Sequence, residues 1–283
     1  MGYQQRVQKN IEVFEDTRQW YTADPALQRA VQHSIAGTVL YAPGALRVPQ
    51  AALDRFSASA AVTVTGARTL QAAGRWRGAR VAVLNFASAT NPGGGVERGS
   101  SAQEESLCRC STLYPCLYTP ELWQGYYQFH RRRADARYTD ACIYTPDVLV
   151  IKTDDENPAR LPAEAWQAVD VVTCAAPNLR PRPYNAMNPG TGAPVQVGAA
   201  ELGALHEQRA RKILSAAALH GAEVVILGAF GCGAFCNPPE VVAAAYRRVL
   251  PEFSHAFRAI EFAVYCPPSQ PSENFRVFRE ILT

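Results

Sequence analysis

The sequence predicts an α/β layered fold, with helices covering a central sheet. Three observations carry this. From about residue 60 onward, short apolar strands alternate with helices. Several strands are nearly continuous apolar runs, as centrally buried strands are. Two glycine-rich loops directly follow two of those runs, at residues 91–105 and 228–240.

The elements follow in order. Residues 3–21 read as a helix, with Val7, Ile11 and Phe14 at helical spacing and charges between them. Asp24-Pro25 ends that helix and starts another element, because proline suits a first helical turn. Tyr41 to Pro49 is a break with two prolines and a glycine. Residues 1–45 therefore read as an N-terminal helical accessory segment packed on the core, and 46–283 as the main domain. Within the latter, "AAVTVTGA" (60–67) is a short strand and "ARVAVLNFA" (79–87) a buried central one. Helices are expected over 103–113 and 121–133. "IYTPDVLVIK" (143–152) and "AVDVVTCAAP" (168–177) are strands. Residues 178–200, rich in Pro, Asn and Gly, form a long loop. A helix over 201–219 buries Leu202, Leu205, Ile213, Leu214 and Ala217, and His220-Gly221 ends it. "EVVILGAF" (223–230) is a strand of the most buried kind. A helix opened by prolines (238–250), a last strand (259–266) and a final helix (272–281) complete the chain.

Composition narrows the function. The 283 residues are long enough to bury a sizeable core, and 48% hydrophobic with 19% charged is ordinary for a globular protein. A net charge of +3 is too mild for a duplex nucleic-acid binder. The one basic cluster, Arg131, Arg132 and Arg133 after His130, reads as a solvated helix end or as a contact to an extended polyanion. No apolar stretch is long enough for a membrane span. The N-terminus MGYQQRVQKN has no apolar signal core, which predicts a cytoplasmic protein. The eight cysteines are then expected as free thiols. Cys108/Cys110 and Cys232/Cys236 match no paired metal-ligand spacing, so no metal is expected. Cys108 beside Arg109 is a weak nucleophile candidate with no histidine or asparagine paired to it. The five histidines lie scattered and read as packing or surface residues.

In open α/β sheets, ligands bind beyond the carboxyl ends of the strands, where free N–H groups are presented. Both glycine loops occupy that position. In "GAFGCGAFCNPPE" (228–240), successive N–H groups of a strand-to-helix turn can form an anion nest. No Gly-Lys-Ser/Thr follows, so this is no Walker A loop, and the glycine spacing is not the dinucleotide fingerprint. It is either a backbone cradle for a diphosphate or a tight turn built for packing. In "NPGGGVERGSSAQEES" (91–106), Gly93, Gly94 and Gly95 carry no side chain to keep a ligand away, and Asn91 offers donors and acceptors. Gln103, Glu104 and Glu105 follow at a helix start that Ser100 or Ser101 could cap. The acids either favour the helix N-terminus electrostatically or act chemically. Glycosidic cleavage normally uses two carboxyls on opposite sides of a bond. Adjacent helical residues diverge by roughly 100°, so a catalytic pair here would give proton transfer to one acid and sugar positioning to the other.

"NFASATNPGGGVERGSSAQEESLCRCSTLY" (85–114) resembles the signature of the bacterial-type poly(ADP-ribose) glycohydrolases: GGG, six to eight residues, then QEE. The gap here is seven residues. "GAFGCGAF" (228–235) is similar to their diphosphate loop, and "YTPDVLVIK" (144–152) also fits. The resemblance implies a macrodomain-like α/β/α sandwich with a mixed sheet and an N-terminal helical extension. It implies hydrolysis of the ribose–ribose O-glycosidic bonds of poly(ADP-ribose), mainly from chain ends, without metal or organic cofactor. By position, Glu105 would be the general acid/base, Glu104 would hold a ribose hydroxyl and Gln103 would help fix the loop. Asn91 and Gly93 to Gly95 would line the distal ribose and phosphate. Gly231, Cys232, Gly233 and Ala234 would cradle the diphosphate, and Phe235 would pack on the ribose. Implied partners are ADP-ribose, its polymer and ADP-ribosylated proteins, with the chain a cytoplasmic monomer serving the DNA damage response. Two other readings stay open: a macrodomain that binds ADP-ribose without cleaving it, and a mono-ADP-ribosyl hydrolase.

Overall fold

The computed structural model describes residues 2–267, Ser269 and 272–283. The chain opens with two helices, α1 (Tyr3–Ala23) and α2 (Pro25–Ala36). Asp24 separates them: its carboxylate accepts the N–H groups of Ala26 and Leu27 while Pro25 occupies the first turn. There follow β1 (Val39–Tyr41), α3 (Gln50–Leu53), β2 (Ala61–Thr65), α4 (Thr69–Ala73), β3 (Val81–Phe86), α5 (Gln103–Cys110), α6 (Leu113–Leu117), α7 (Pro120–Leu122) and α8 (Gln128–Arg133). The second half holds β4 (Cys142–Val150), β5 (Gln167–Cys174), α9 (Ala199–Leu219), β6 (Val224–Leu227), α10 (Pro239–Val249), β7 (Ala259–Ala263) and α11 (Glu273–Leu282).

Seven strands form one mixed sheet in the order β1-β4-β5-β3-β6-β7-β2. β5, β3, β6, β7 and β2 run parallel, whereas β4 is antiparallel to both neighbours. The central strands are apolar on both faces because both faces are covered. Along β3, Val81 and Val83 point into one core with Phe14, Leu70, Leu107 and Leu113. Ala82 and Leu84 point into the other with Ile213, Leu214, Val242 and Phe278. This period-two alternation makes a three-layer α/β/α sandwich.

The structure departs from the sequence reading at particular places. Residues 39–41, read as the edge of a proline-rich break, form β1 and pair antiparallel with β4. A strand from the first 45 residues thus belongs to the same sheet as the strands that follow. The helix expected over 103–113 stops at Cys110, because Ser111 is extended and bridges Val150. The 121–133 helix contains a π-helical turn, Trp123–Tyr127. Several strands end earlier than their apolar runs, notably β6 at Leu227, because the chain leaves the sheet to build a glycine loop.

α1 braces the helix that carries the acid pair. Thr17 Oγ1 donates to the carbonyl of Arg109 at 2.6 Å, and Asn10 Nδ2 donates to that of Gly99 at 2.9 Å. Gly99 has φ +73°, and a Cβ there would collide with the backbone of Val7.

Candidate active site

The acid pair is positioned by the free edge of β3. β6 pairs with β3 only over Val81–Val83, so beyond that point one edge of β3 lacks a neighbouring strand. The side-chain amide of Gln103 replaces it: Nε2 donates to the Leu84 carbonyl at 2.7 Å, and Oε1 accepts the Phe86 N–H at 2.9 Å. Two residues further along, Glu104 Oε2 accepts the Ser88 N–H at 2.7 Å. The first turn of α5 thus completes the ladder of β3, and this fixes where both acids sit. Gln103 anchors to this strand and to Thr69. Neither Ser100 nor Ser101 caps α5: its N-cap is Ala102, without a side-chain hydrogen bond, and the polar first-turn residues spend their side chains on β3.

The two carboxyls diverge from the helix yet meet again around one glycine. Glu105 Oε1 accepts the Gly95 N–H at 2.9 Å. Gly94 has φ +60°, and a Cβ on it would lie 2.5 Å from Glu105 Oε1 and 2.9 Å from Glu104 Oε2. Only a residue without a side chain can be wedged between them. Gly93, at φ +66°, backs onto the Tyr114 ring, which a Cβ would approach to 2.6 Å. Asn91 spans the loop from behind, its amide donating to the Gly94 carbonyl and its own carbonyl accepting the Gly94 N–H. Gly94 and Gly95 therefore face the cleft, whereas Asn91 and Gly93 shape the loop.

The second loop lies across the cleft. Gly231, at φ +78°, leaves room for the amide of Asn237, which a Cβ would meet at 2.8 Å. Asn237 Nδ2 donates to the carbonyls of Pro177, Gly231 and Phe235, and its Oδ1 accepts from His206 Nε2 at 2.8 Å. Held this way, the loop leaves the N–H groups of Gly231, Gly233, Ala234 and Phe235 without an acceptor among the described residues. Cys232 differs: its N–H closes a tight turn onto Ala229 O at 3.1 Å, so it is not free to join the cradle. Gly231, Gly233, Ala234 and Phe235 line the same cleft as Gly94, Gly95 and the QEE run. The cleft encloses about 650 Å³, the size of a site for one small-molecule ligand. Its far end carries Arg68 stacked 4.1 Å over the Tyr265 ring.

A family model described as the microbial-type PARG (poly(ADP-ribose) glycohydrolase) catalytic domain matches residues 11–153. The chain belongs to this family. Solved structures agree across almost the whole length. The poly(ADP-ribose) glycohydrolase of Thermomonospora curvata is 31% identical, with a TM-score of 0.78, covering 97% of this chain and 100% of that one. The same enzyme bound to the inhibitor ADP-HPD gives 31% identity and a TM-score of 0.76, covering 96% and 99%. The Deinococcus radiodurans glycohydrolase in complex with ADP-ribose is 34% identical, with a TM-score of 0.69, covering 89% and 96%. No curated protein matches the chain significantly.

The electrostatics of this PARG-family site follow from burial. Glu104 is 3% exposed and Glu105 7%. Burial, then the neighbouring Glu105 charge, pushes the Glu104 carboxyl well above the usual carboxylate range, against the pull of the Ser88 and Asn85 donors. Both Glu104 oxygens already accept, Oε2 from Ser88 and Oε1 from Asn85 Nδ2 at 3.3 Å. Glu105 Oε2, by contrast, is buried with no partner. Cys108 is also buried, and burial together with both glutamates raises its thiol far above the range of a reactive nucleophile, overriding Arg109. Among the described residues no three His, Cys, Asp or Glu side chains cluster as metal ligands, and no helix is long and apolar enough to cross a membrane.

Several functional neighbours escaped the sequence reading. Asn85 and Ser88 hold Glu104, and Asn237 and His206 shape the second glycine loop. A polar residue inside the apolar run 79–87 was a usable signal for Asn85. Arg180, Asn185, Met187 and Asn188 bring the 178–200 loop to the cleft wall. Nothing in that loop's sequence says which wall it joins.

Proposed function

We propose that this chain hydrolyses the ribose–ribose O-glycosidic bonds of poly(ADP-ribose) and releases ADP-ribose, mainly from chain ends, with Glu105 as general acid/base. The observation that carries the reading is the bare, buried Oε2 of Glu105 in a cleft walled by two glycine loops. Because both Glu104 oxygens already accept protein donors, Glu105 Oε2 is the carboxyl oxygen left free to meet a substrate.

The steps follow from the geometry. The free N–H groups of Gly231, Gly233, Ala234 and Phe235 hold the diphosphate, which sets the distal ribose against Gly94 and Gly95. Glu104, fixed by Ser88 and Asn85, accepts from a ribose hydroxyl through a remaining lone pair. Glu105 protonates the leaving ribose oxygen as the C–O bond breaks, and an oxocarbenium-like centre develops at the anomeric carbon. The carboxylate left behind takes a proton from water as that water adds to the carbon, which restores the acid. Room for one ADP-ribose unit supports release from chain ends. Polymer attached to ADP-ribosylated proteins is the proposed physiological substrate, met by a cytoplasmic monomer in DNA damage responses.

Glu105→Gln tests this. Its amide oxygen can keep the Gly95 N–H bond, so the site stays built. Release of ADP-ribose from labelled polymer should fall by about 10²–10⁴-fold, while ADP-ribose affinity by titration calorimetry stays within a few-fold. Hydrolysis near the wild-type rate would refute the mechanism. Wild-type protein that binds ADP-ribose yet leaves polymer intact would make the chain a reader instead.

A further inference from the structure

The 178–200 loop is built rigidly where it meets the protein. Asn188 Oδ1 accepts from Ser88 Oγ at 3.0 Å, and the Asn188 carbonyl accepts from Thr191 Oγ1 at 2.9 Å. Asn185 Oδ1 takes the N–H groups of Met187 and Asn188. Met187 packs on Gly95, the residue that donates to Glu105. The loop therefore stands beside Gly95 and Glu105 in the cleft wall.

Its outer side has no such internal role. Tyr184 is 63% exposed and stacks on no other ring among the described residues. Arg182 is exposed beside it, and Arg180 reaches the cleft wall. Two acids that flank the loop are already taken: Asp135, which bridges to it at Ala193, and Glu201, just beyond it in sequence, both pair with Arg137. The loop's outer side thus presents two arginines and a flat aromatic ring whose side chains make no hydrogen bond or salt bridge among the described residues.

Resting on the hydrolase reading above, we propose that Arg182 and Tyr184, with Arg180, form a second subsite that grips the adjoining ADP-ribose unit, on the leaving side of the scissile bond. The chemistry matches that unit. Guanidinium groups pair with a diphosphate, and an exposed tyrosine stacks an adenine. An occupied rim would keep the shortened chain near the cleft after each cut.

The test is the double substitution Arg182→Ala/Tyr184→Ala, on exposed side chains whose loss leaves the Asn185, Asn188 and Thr191 bonds in place. Affinity for monomeric ADP-ribose should stay within twofold of wild type. KM for long polymer should rise about tenfold at low salt, and the salt dependence of polymer binding should flatten. Unchanged KM and salt dependence would overturn the proposal, as would a single-stranded RNA of equal charge competing as well as polymer. Should the wild type fail to cleave polymer at all, the hydrolase reading falls. The subsite is then read by binding alone, as a loss of polymer affinity in the double variant with ADP-ribose affinity kept, and equal polymer affinity in both proteins would overturn it.

Discussion

Gly94→Ala is the sharpest probe of how the glycine run meets the acids. Two costs follow from the geometry. Gly94 sits at φ +60°, where an L side chain costs about 1–2 kcal/mol. The added methyl would also lie 2.5 Å from Glu105 Oε1 and 2.9 Å from Glu104 Oε2, against 3.4 Å for ordinary contact. Relief requires the Glu105 carboxyl to move by roughly 1 Å, and if Glu105 carries the proton as proposed, a misplacement of that size costs about 10²-fold in rate. Labelled-polymer hydrolysis should therefore fall about 100-fold, with a stability loss of about 1–2 kcal/mol in urea titration. Gly233→Ala is the matched control. A Cβ there meets nothing within 4 Å, so stability should hold, while on the proposed reading ADP-ribose affinity drops because the methyl would stand in the space assigned to the diphosphate. If Gly94→Ala retains kcat within about threefold, the first loop does not set the carboxyl and the reasoning fails.

Two further outcomes are expected. Gln103→Ala should strip the Leu84 carbonyl and the Phe86 N–H of their partners, at about 2–4 kcal/mol in urea titration, and slow hydrolysis because α5 loses its anchor to β3; a loss under about 0.5 kcal/mol would refute that anchoring. His206 is buried and neutral, its pKa lowered to about 4 by burial, so the native state refuses a proton that the unfolded chain accepts below about 6.5. Its contribution to stability is whole above that pH and is lost as pH falls towards about 4, a total of roughly 3 kcal/mol. His206→Gln, which can still donate to Asn237, should gain stability relative to wild type by about that amount between pH 7 and pH 4, and a pH-independent difference would contradict the assignment.

The sequence by itself determined six of the seven strands, the long helices between them, and the two glycine loops that line the cleft. Buried strands and amphipathic helices carry their pattern locally, in residues two, three or four apart. The GGG and QEE runs were legible for the same reason: glycine at positive φ and paired acids at a helix start are local chemistry, and the family resemblance turned them into a reaction. What tertiary structure decided was how those pieces meet. Glu104 and Glu105 diverge along α5, and only the unpaired edge of β3 brings Gln103 and Glu104 back onto the strand. Cys232 looked like a member of the cradle, but its N–H is spent within its own turn. Asn237 lies beside the loop in sequence, yet it shapes the cradle only because α9 delivers His206 to it from 31 residues away. The 178–200 loop showed no pattern because it has no periodic face to bury. Its place in the cleft wall comes from Ser88 bonding Asn188, from Tyr138 bonding Thr191 and from Met187 resting on Gly95, contacts between distant parts of the chain that exist only once the sheet has brought β3 and β5 side by side.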